Sequence, residues 1–214
     1  MSGHANEEEI QVVQQLESSI DFDTSPINDL LELGQLYIEP CHREGEAIAI
    51  FEAVLRRDPR NAHAKFWLAY CCLHYLMDPD SLRRAADLLE SVIQEDPQHA
   101  GAAYMLLAEV LDEAGNLPLN RKLQLLEASV HREPGWVFNR QSLAWAYTEA
   151  GRYSDALAQL RIALANVTKA DPSWSISTRN FEESITGRIG HRVIERLTSD
   201  MERVQAAMTQ ETRQ

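Results

Sequence analysis

The sequence predicts an all-α protein, an α-solenoid of about four helical hairpins with one helix before them and a long capping helix after them. Apolar residues recur every three or four positions along most of the 214 residues, as they do on one face of a helix. Acid–proline pairs occur at Pro59, Pro97 and Pro134, at intervals of 38 and 37 residues. Because proline disfavours the helical conformation of the residue before it, each pair marks the end of one hairpin.

The hairpin at residues 135–168 is the clearest copy of this pattern. Gly151 supplies the stop between its two helices, because glycine adopts the left-handed cap conformation without a Cβ clash. Small side chains on two facing stripes allow the helix backbones to approach closely. These stripes are Leu143, Ala144 and Tyr147 in the first helix, and Ala156, Leu160 and Ala163 in the second.

This hairpin resembles the tetratricopeptide repeat, whose signature is W-x2-L-G-x2-Y…A-x3-F…P over about 34 residues. Arg140 stands at the tryptophan position here and Ala144 at the glycine position. The resemblance implies a non-catalytic protein–protein interaction scaffold or adaptor. In that family, a segment of the partner binds in a concave groove that is lined by the first helix of each repeat.

Three further hairpins are predicted at residues 27–60, 61–98 and 99–134. The turn HYLMDPDSLRR in the second is about four residues longer than the family pattern, and long loops are often functional. In the third, Lys122 occupies a position where alanine is expected, so this repeat is weaker or its register is displaced. The predicted stripes are Leu30, Leu33, Gly34 and Tyr37 with Ala47, Phe51 and Val54; Leu68, Ala69 and Cys72 with Ala85, Leu89 and Val92; and Leu107, Ala108 and Leu111 with Leu126 and Ser129.

The two ends of the chain flank this array at residues 27–169. Residues 1–26 are predicted as an acidic helix and linker, and residues 170–214 as a linker and a long helix from Asn180 to about Met208. Solenoids need a terminal element that shields the open core, and the last helix suits this role. Alternatively, its apolar face pairs with another chain, including a second copy in a homo-oligomer.

The composition limits the partners. The formal net charge is −13, and the first 26 residues hold six acids without a lysine or arginine. Such a chain is repelled by phosphate backbones, so nucleic acid and anionic membranes are disfavoured and a basic protein is favoured. Acidity can equally serve solubility alone. Three cysteines without a disulfide pattern, no secretory signal and no apolar run of about 20 residues predict a cytoplasmic protein.

No pattern of catalytic or metal-ligating residues is present in the sequence. It contains no HExxH, CxxC, P-loop or GxSxG motif, so we expect neither a cofactor nor a metal. Cys72 and His74 lie two residues apart on a predicted helix and point to different faces, which disfavours a catalytic pair. The remaining enzymatic alternative is an unrecognised site in the C-terminal region, near WSISTRNFEES at residues 174–184; the role of the overlapping segment 173–183 is left open.

Aromatic and acidic residues fall at the groove positions that the resemblance implies. No lysine or arginine is among them, so a clamp for the acidic tail of a heat-shock chaperone is not expected. A basic or apolar-plus-basic segment fits better, unless a terminal helix folds back and covers the surface. The predicted partner-binding residues are Phe66, Tyr70, His74, Met105, Glu109, Asp112, Glu113, Phe138, Gln141, Trp145 and Glu149.

Two functional hypotheses therefore stand. The first is an adaptor that holds one partner segment in its groove. The second is a dedicated acidic chaperone, or an immunity-type antagonist, of one basic toxin or effector protein. Charge complementarity would make association in the second case fast and sensitive to salt.

Overall fold

The computed structural model describes residues 7–38, 41–96, 100–115, 117–169 and 189–211. All regular secondary structure in these ranges is helical, as the sequence predicts. The helices are α1 (Glu7–Ser19), α2 (Ile27–Ile38), α3 (Glu44–Arg57), α4 (Ala62–Cys71), α5 (Pro79–Glu95), α6 (Gly101–Glu113), α7 (Leu119–Arg132), α8 (Val137–Glu149), α9 (Tyr153–Lys169) and α10 (Ile189–Glu211), with one π-helical turn at Cys72–Leu76.

The chain forms two compact units, which divide between residues 95 and 96. In the N-terminal unit, α2 pairs with α3 and α4 with α5, while α1 packs on α2. In the C-terminal unit, α6 pairs with α7 and α8 with α9, while α10 packs on α9. Short connections make the partners in each hairpin antiparallel. The predicted α-solenoid of four helical hairpins with a terminal capping helix is thus confirmed.

The cores of both units are built from the predicted stripes. Burial of these side chains from water drives the hairpins together, at about 25 cal/mol for each Å² of apolar surface. One stripe residue, Leu111, is only half-buried. The fully enclosed members include Leu30, Phe51, Leu68, Ala85, Leu89, Ala144, Ala156, Leu160 and Ala163.

Two positions at which the sequence departs from the repeat pattern are accommodated by polar contacts. Arg140, at the usual tryptophan position, is buried; its Nε donates to the backbone oxygen of Pro134 at 2.8 Å and its Nη1 to Gln159 Oε1 at 2.6 Å. Lys122, at the usual alanine position, directs its amine towards two carboxylates described below. Each substitution replaces apolar packing by satisfied hydrogen bonds.

The long turn of the second hairpin contains the π-helical turn and a left-handed residue, Met77, with φ of 56°. Asp78 then opens α5, since its carboxylate accepts from the backbone amides of Asp80 and Ser81 at 3.0 Å each. This path leaves Tyr75, Leu76 and Met77 exposed. The extra residues therefore continue α4 as a wider, π-helical turn instead of forming a separate loop.

The last helix, α10, buries Val193, Leu197 and Val204. Its predicted start at Asn180, and the segment 173–183 whose role was open, lie outside the described residues. Asp200 is buried on the same face as the three apolar residues, which the apolar pattern did not indicate. Within the described part of the chain, no helix is both long enough and apolar enough to cross a membrane.

Candidate partner-binding surfaces

The predicted partner-binding residues lie in both units, and each group is described by itself. Three of them, on α4 and the turn after it, belong to the N-terminal unit; we call them the α4 surface. The others, on α6 and α8, belong to the C-terminal unit; we call them the α6–α8 surface. The α4 surface comprises Phe66, Tyr70 and His74, and the α6–α8 surface comprises Met105, Glu109, Asp112, Glu113, Phe138, Gln141, Trp145 and Glu149.

The α4 surface is a row of rings that contact one another. Phe66 and Tyr70 both pack edge-on against Trp67, with centroids 5.6 and 5.4 Å away, and Tyr70 lies 4.3 Å from the ring of His74. Phe66 and Tyr70 are half-buried, while His74 is exposed. Desolvation lowers the pKa of the His74 imidazole, which favours its neutral form. This surface is therefore aromatic and uncharged.

Two parallel helices present the α6–α8 surface. Because α7 runs antiparallel to both α6 and α8, the latter two run in the same direction, and they contact each other. Met105, Glu109 and Glu113 follow one another every four residues along α6, so they share one stripe. Trp145 lies on the neighbouring stripe of α8 with 50% of its surface exposed. A large aromatic side chain that is this open to solvent can serve as an anchor for a partner.

The register between these two stripes follows from Lys122, at the start of α7. Its Nζ lies 2.7 Å from Asp112 Oδ2 on α6 and 3.1 Å from Glu149 Oε2 on α8. These two carboxylates therefore lie side by side. One helical turn back on each helix are Glu109 and Trp145, which the same register brings to one level.

This ion cluster reduces the number of acids on the α6–α8 surface that are free to bind a basic partner. Asp112 and Glu149 were predicted as acids open to a basic partner, but both already neutralise Lys122. Glu113, in contrast, is exposed, and Glu109 is half-buried. Burial raises the pKa of the Glu109 carboxyl to about 7, because desolvation disfavours its charged form.

One end of the α6–α8 surface is covered by α10. The prediction that Gln141 faces solvent is wrong: its side chain is 2% exposed, and its Nε2 donates to Asp200 Oδ2 at 2.6 Å. Beside it, the guanidinium of Arg196 lies 5.4 Å from the ring centroid of Phe138, which is half-buried. The alternative that a terminal helix covers the surface thus holds for Gln141 and not for Trp145.

The side chains with reactive or metal-binding chemistry are otherwise dispersed. Burial raises the pKa of the Cys71 thiol to about 12 and also raises that of Cys72, so neither forms a thiolate at neutral pH. The described ranges contain no group of three or more His, Cys, Asp or Glu residues placed to hold a metal ion. Three exposed apolar residues, Tyr75, Leu76 and Met77, were not among the predicted partner-binding residues. The unusual length of the turn that contains them was the feature of the sequence that could have indicated them.

Comparison with known proteins supports this fold. A profile of the tetratricopeptide repeat matches residues 45–74. Trafficking protein particle complex subunit 12 from Homo sapiens is 36% identical over 118 residues, which are 54% of this chain and 15% of the human protein. The same subunit from Mus musculus is 32% identical over 142 residues, 65% of this chain and 17% of the mouse protein. The chain thus spans under a fifth of these relatives.

Solved structures with a similar fold include MamA. A crystal structure of MamA is 22% identical, with a TM-score of 0.56, and covers 73% of this chain and 87% of that one. MamA from residue 41 onward, from Desulfovibrio magneticus RS-1, is 16% identical, with a TM-score of 0.58, and covers 77% and 89%. At these identities the similarity concerns the fold alone.

Proposed function

The chain carries tetratricopeptide repeats, and on this premise we propose that it is a non-catalytic adaptor that binds a segment of a protein partner. Arrays of such repeats act through their surfaces, because stacked hairpins form extended binding faces. The observation that carries the proposal is Trp145, half exposed on a helix whose neighbouring residues Ala144 and Ala146 are fully buried. A large rigid ring in this setting is a typical anchor of an interface.

The chemistry of the α6–α8 surface favours a segment that is both basic and apolar. Met105 and Trp145 supply apolar contact area, and Glu109 and Glu113 supply negative charge. The positive charge of Lys122 is balanced there by its two carboxylates. A lysine or arginine of the partner would gain both the acids and the face of the indole ring. Neighbouring apolar residues would then cover the rest of the tryptophan.

In this proposal, each predicted hairpin is one structural repeat. With the hairpins bounded at residues 27–60, 61–98, 99–134 and 135–168, we propose that the last two contribute their first helices, α6 and α8, to partner contacts. The similarity to a subunit of a trafficking protein particle complex supports a role as one subunit of a multiprotein assembly. Residues 1–26 and 170–214 would flank the scaffold and shield its ends.

The test compares Trp145→Ala with Ile162→Ala, which removes a similarly exposed apolar side chain from α9. Partners captured by the wild-type chain are purified, and their Kd values for the three proteins are measured by titration calorimetry. We expect Trp145→Ala to raise Kd roughly 30-fold or more, as for an anchor that contributes about 2 kcal/mol. Ile162→Ala should change it little.

Equal effects of the two variants on Kd would contradict the proposal, provided that circular dichroism shows both to be folded. A Tyr70→Ala variant tests the α4 surface in the same assay. Its loss of binding would place the partner on the N-terminal unit instead. If Trp145→Ala itself fails to fold, the ring belongs to the core and the α6–α8 surface is not the site.

The net charge of −13 also favours the second candidate, a dedicated chaperone or antagonist of one basic protein. This candidate predicts a single partner and an association rate that falls steeply with ionic strength. For an adaptor that binds mainly apolar residues, we expect the association rate to depend much less on ionic strength. Stopped-flow association at low and high salt therefore separates the two.

A further inference from the structure

Glu109 differs from the other acids of the α6–α8 surface. It is half-buried at the centre of α6 and makes no hydrogen bond or ion pair with any described residue. One turn further along, Asp112 is bonded to Lys122. A carboxylate that is withdrawn from water and lacks a partner is unfavourable. Such a group is stabilised when a ligand brings the missing cation.

Three positive groups on the helices packed against α6 already have partners, and a fourth, Arg121 at the start of α7, is exposed and donates to Gln124. On α7, Lys122 lies between Asp112 and Glu149, and the guanidinium of Arg132 stacks 5.1 Å from the ring centroid of Tyr104. On α8, Arg140 donates to the backbone oxygen of Pro134 and to Gln159. The effect of burial on Glu109 is therefore not offset by any of them.

The other acidic groups on these three helices are exposed or already bonded. On α6 itself, Glu113 lies four residues further along the same stripe and is exposed. On α8, Glu149 is held by Lys122. On α7, Glu127 accepts a hydrogen bond from the hydroxyl of Tyr147 at 2.8 Å. Glu109 is thus left without a partner among the described residues, and the helix register places it level with the exposed indole of Trp145.

Resting on the proposed function, we propose that Glu109 and Trp145 together form the recognition site for one arginine side chain of the partner. A guanidinium is planar, so it can stack on the indole ring while its N–H groups donate to the carboxylate. A lysine ammonium could satisfy the carboxylate but would gain less from the ring. The site is distinct from the apolar contacts that any segment could make with Met105.

The protonation of Glu109 couples this recognition to pH. Since its pKa is about 7, the carboxyl is mostly protonated at pH 6 and mostly ionised at pH 8. The guanidinium binds the ionised form, and the proton is released to solvent. The ionised fraction rises roughly tenfold between these pH values, so the affinity should rise by about the same factor.

The experiment uses the full chain and two peptides, acetyl-leucyl-arginyl-leucinamide and its analogue with citrulline, which keeps the shape of arginine without the charge. Binding is followed by the indole N–H signal of Trp145 in ¹H–¹⁵N NMR spectra. We expect the arginine peptide to bind about tenfold more tightly at pH 8 than at pH 6. The citrulline peptide should bind more weakly, with no dependence on pH.

Two variants complete the test. Glu109→Gln keeps the side chain's size and should weaken arginine binding and abolish its pH dependence. Glu113→Gln, an exposed acid on the same stripe, should leave the pH dependence in place. Equal binding of both peptides, an unchanged pH profile in Glu109→Gln, or no shift of the Trp145 signal overturns the arginine site. The proposed function fails separately, when Trp145→Ala leaves the partner's Kd unchanged.

Discussion

Replacing Gly34 with alanine tests how closely α2 and α3 approach each other. A Cβ atom added at Gly34 would lie 2.7 Å from both Cε1 and Cζ of Phe51, and 3.4 Å from Cγ2 of Ile50. Phe51 and Ile50 are completely buried, so the ring cannot move into solvent to make room. Overpacking of this kind typically costs about 1–3 kcal/mol.

The expected net change includes an opposing term. Alanine is favoured over glycine inside a helix by about 1 kcal/mol, so Gly34→Ala should lower the free energy of unfolding by roughly 0–2 kcal/mol. Gly45→Ala is the matched control, because nothing lies within 4 Å of a Cβ atom built there. That variant should be unchanged or stabilised by up to about 1 kcal/mol.

Urea unfolding followed by circular dichroism measures both variants, and amide hydrogen exchange localises the change to α2 and α3. The difference between the two alanine variants isolates the steric cost, which we expect to be about 1–3 kcal/mol. A Phe51→Leu background should reduce this difference, since the ring is the contacted group. If Gly34→Ala is as stable as Gly45→Ala, the close approach of these helices does not require glycine.

Three further predictions concern the polar contacts of the C-terminal unit. Burial raises the pKa of Glu109 from 4.5 to about 7, so the native state binds its proton more tightly than the unfolded chain. The free energy of unfolding should therefore fall by up to roughly 3 kcal/mol as pH rises across this interval, and urea titrations should show that Glu109→Gln removes this contribution. Lys122→Met leaves two adjacent carboxylates unpaired, which should cost about 1 kcal/mol at low salt and less at high salt. Asp200→Ala removes a buried hydrogen bond; we expect a loss of about 1–3 kcal/mol and faster amide hydrogen exchange in α10.

The helical hairpins could be predicted from the sequence because their signals are local. Apolar residues three and four positions apart define a buried stripe without knowledge of the rest of the chain. Ala156, Leu160 and Ala163 were predicted in this way, and all three are completely buried. The acid–proline pairs likewise indicated helix ends through the conformation of neighbouring residues alone.

The candidate site was predictable only in part. The sequence indicated large apolar residues at these positions, and one of them, Trp145, is exposed in the structure. Whether Trp145 and the other residues of the site bind a partner stays a prediction. The sequence could not show which acids of the site are free to bind a basic partner. Asp112 and Glu149 cannot be told apart from the other acids until the structure shows that a lysine from another helix pairs with them.

The sequence by itself determined the helical class of the protein, its hairpins and the residues that form their cores, because each depends on neighbours within one or two turns. Only the tertiary structure decided which polar groups remain open to a partner. Gln141 is hidden by Asp200, 59 residues further along the chain, and Glu109 is left without a cation. Contacts between distant residues follow from packing, and no local pattern encodes them.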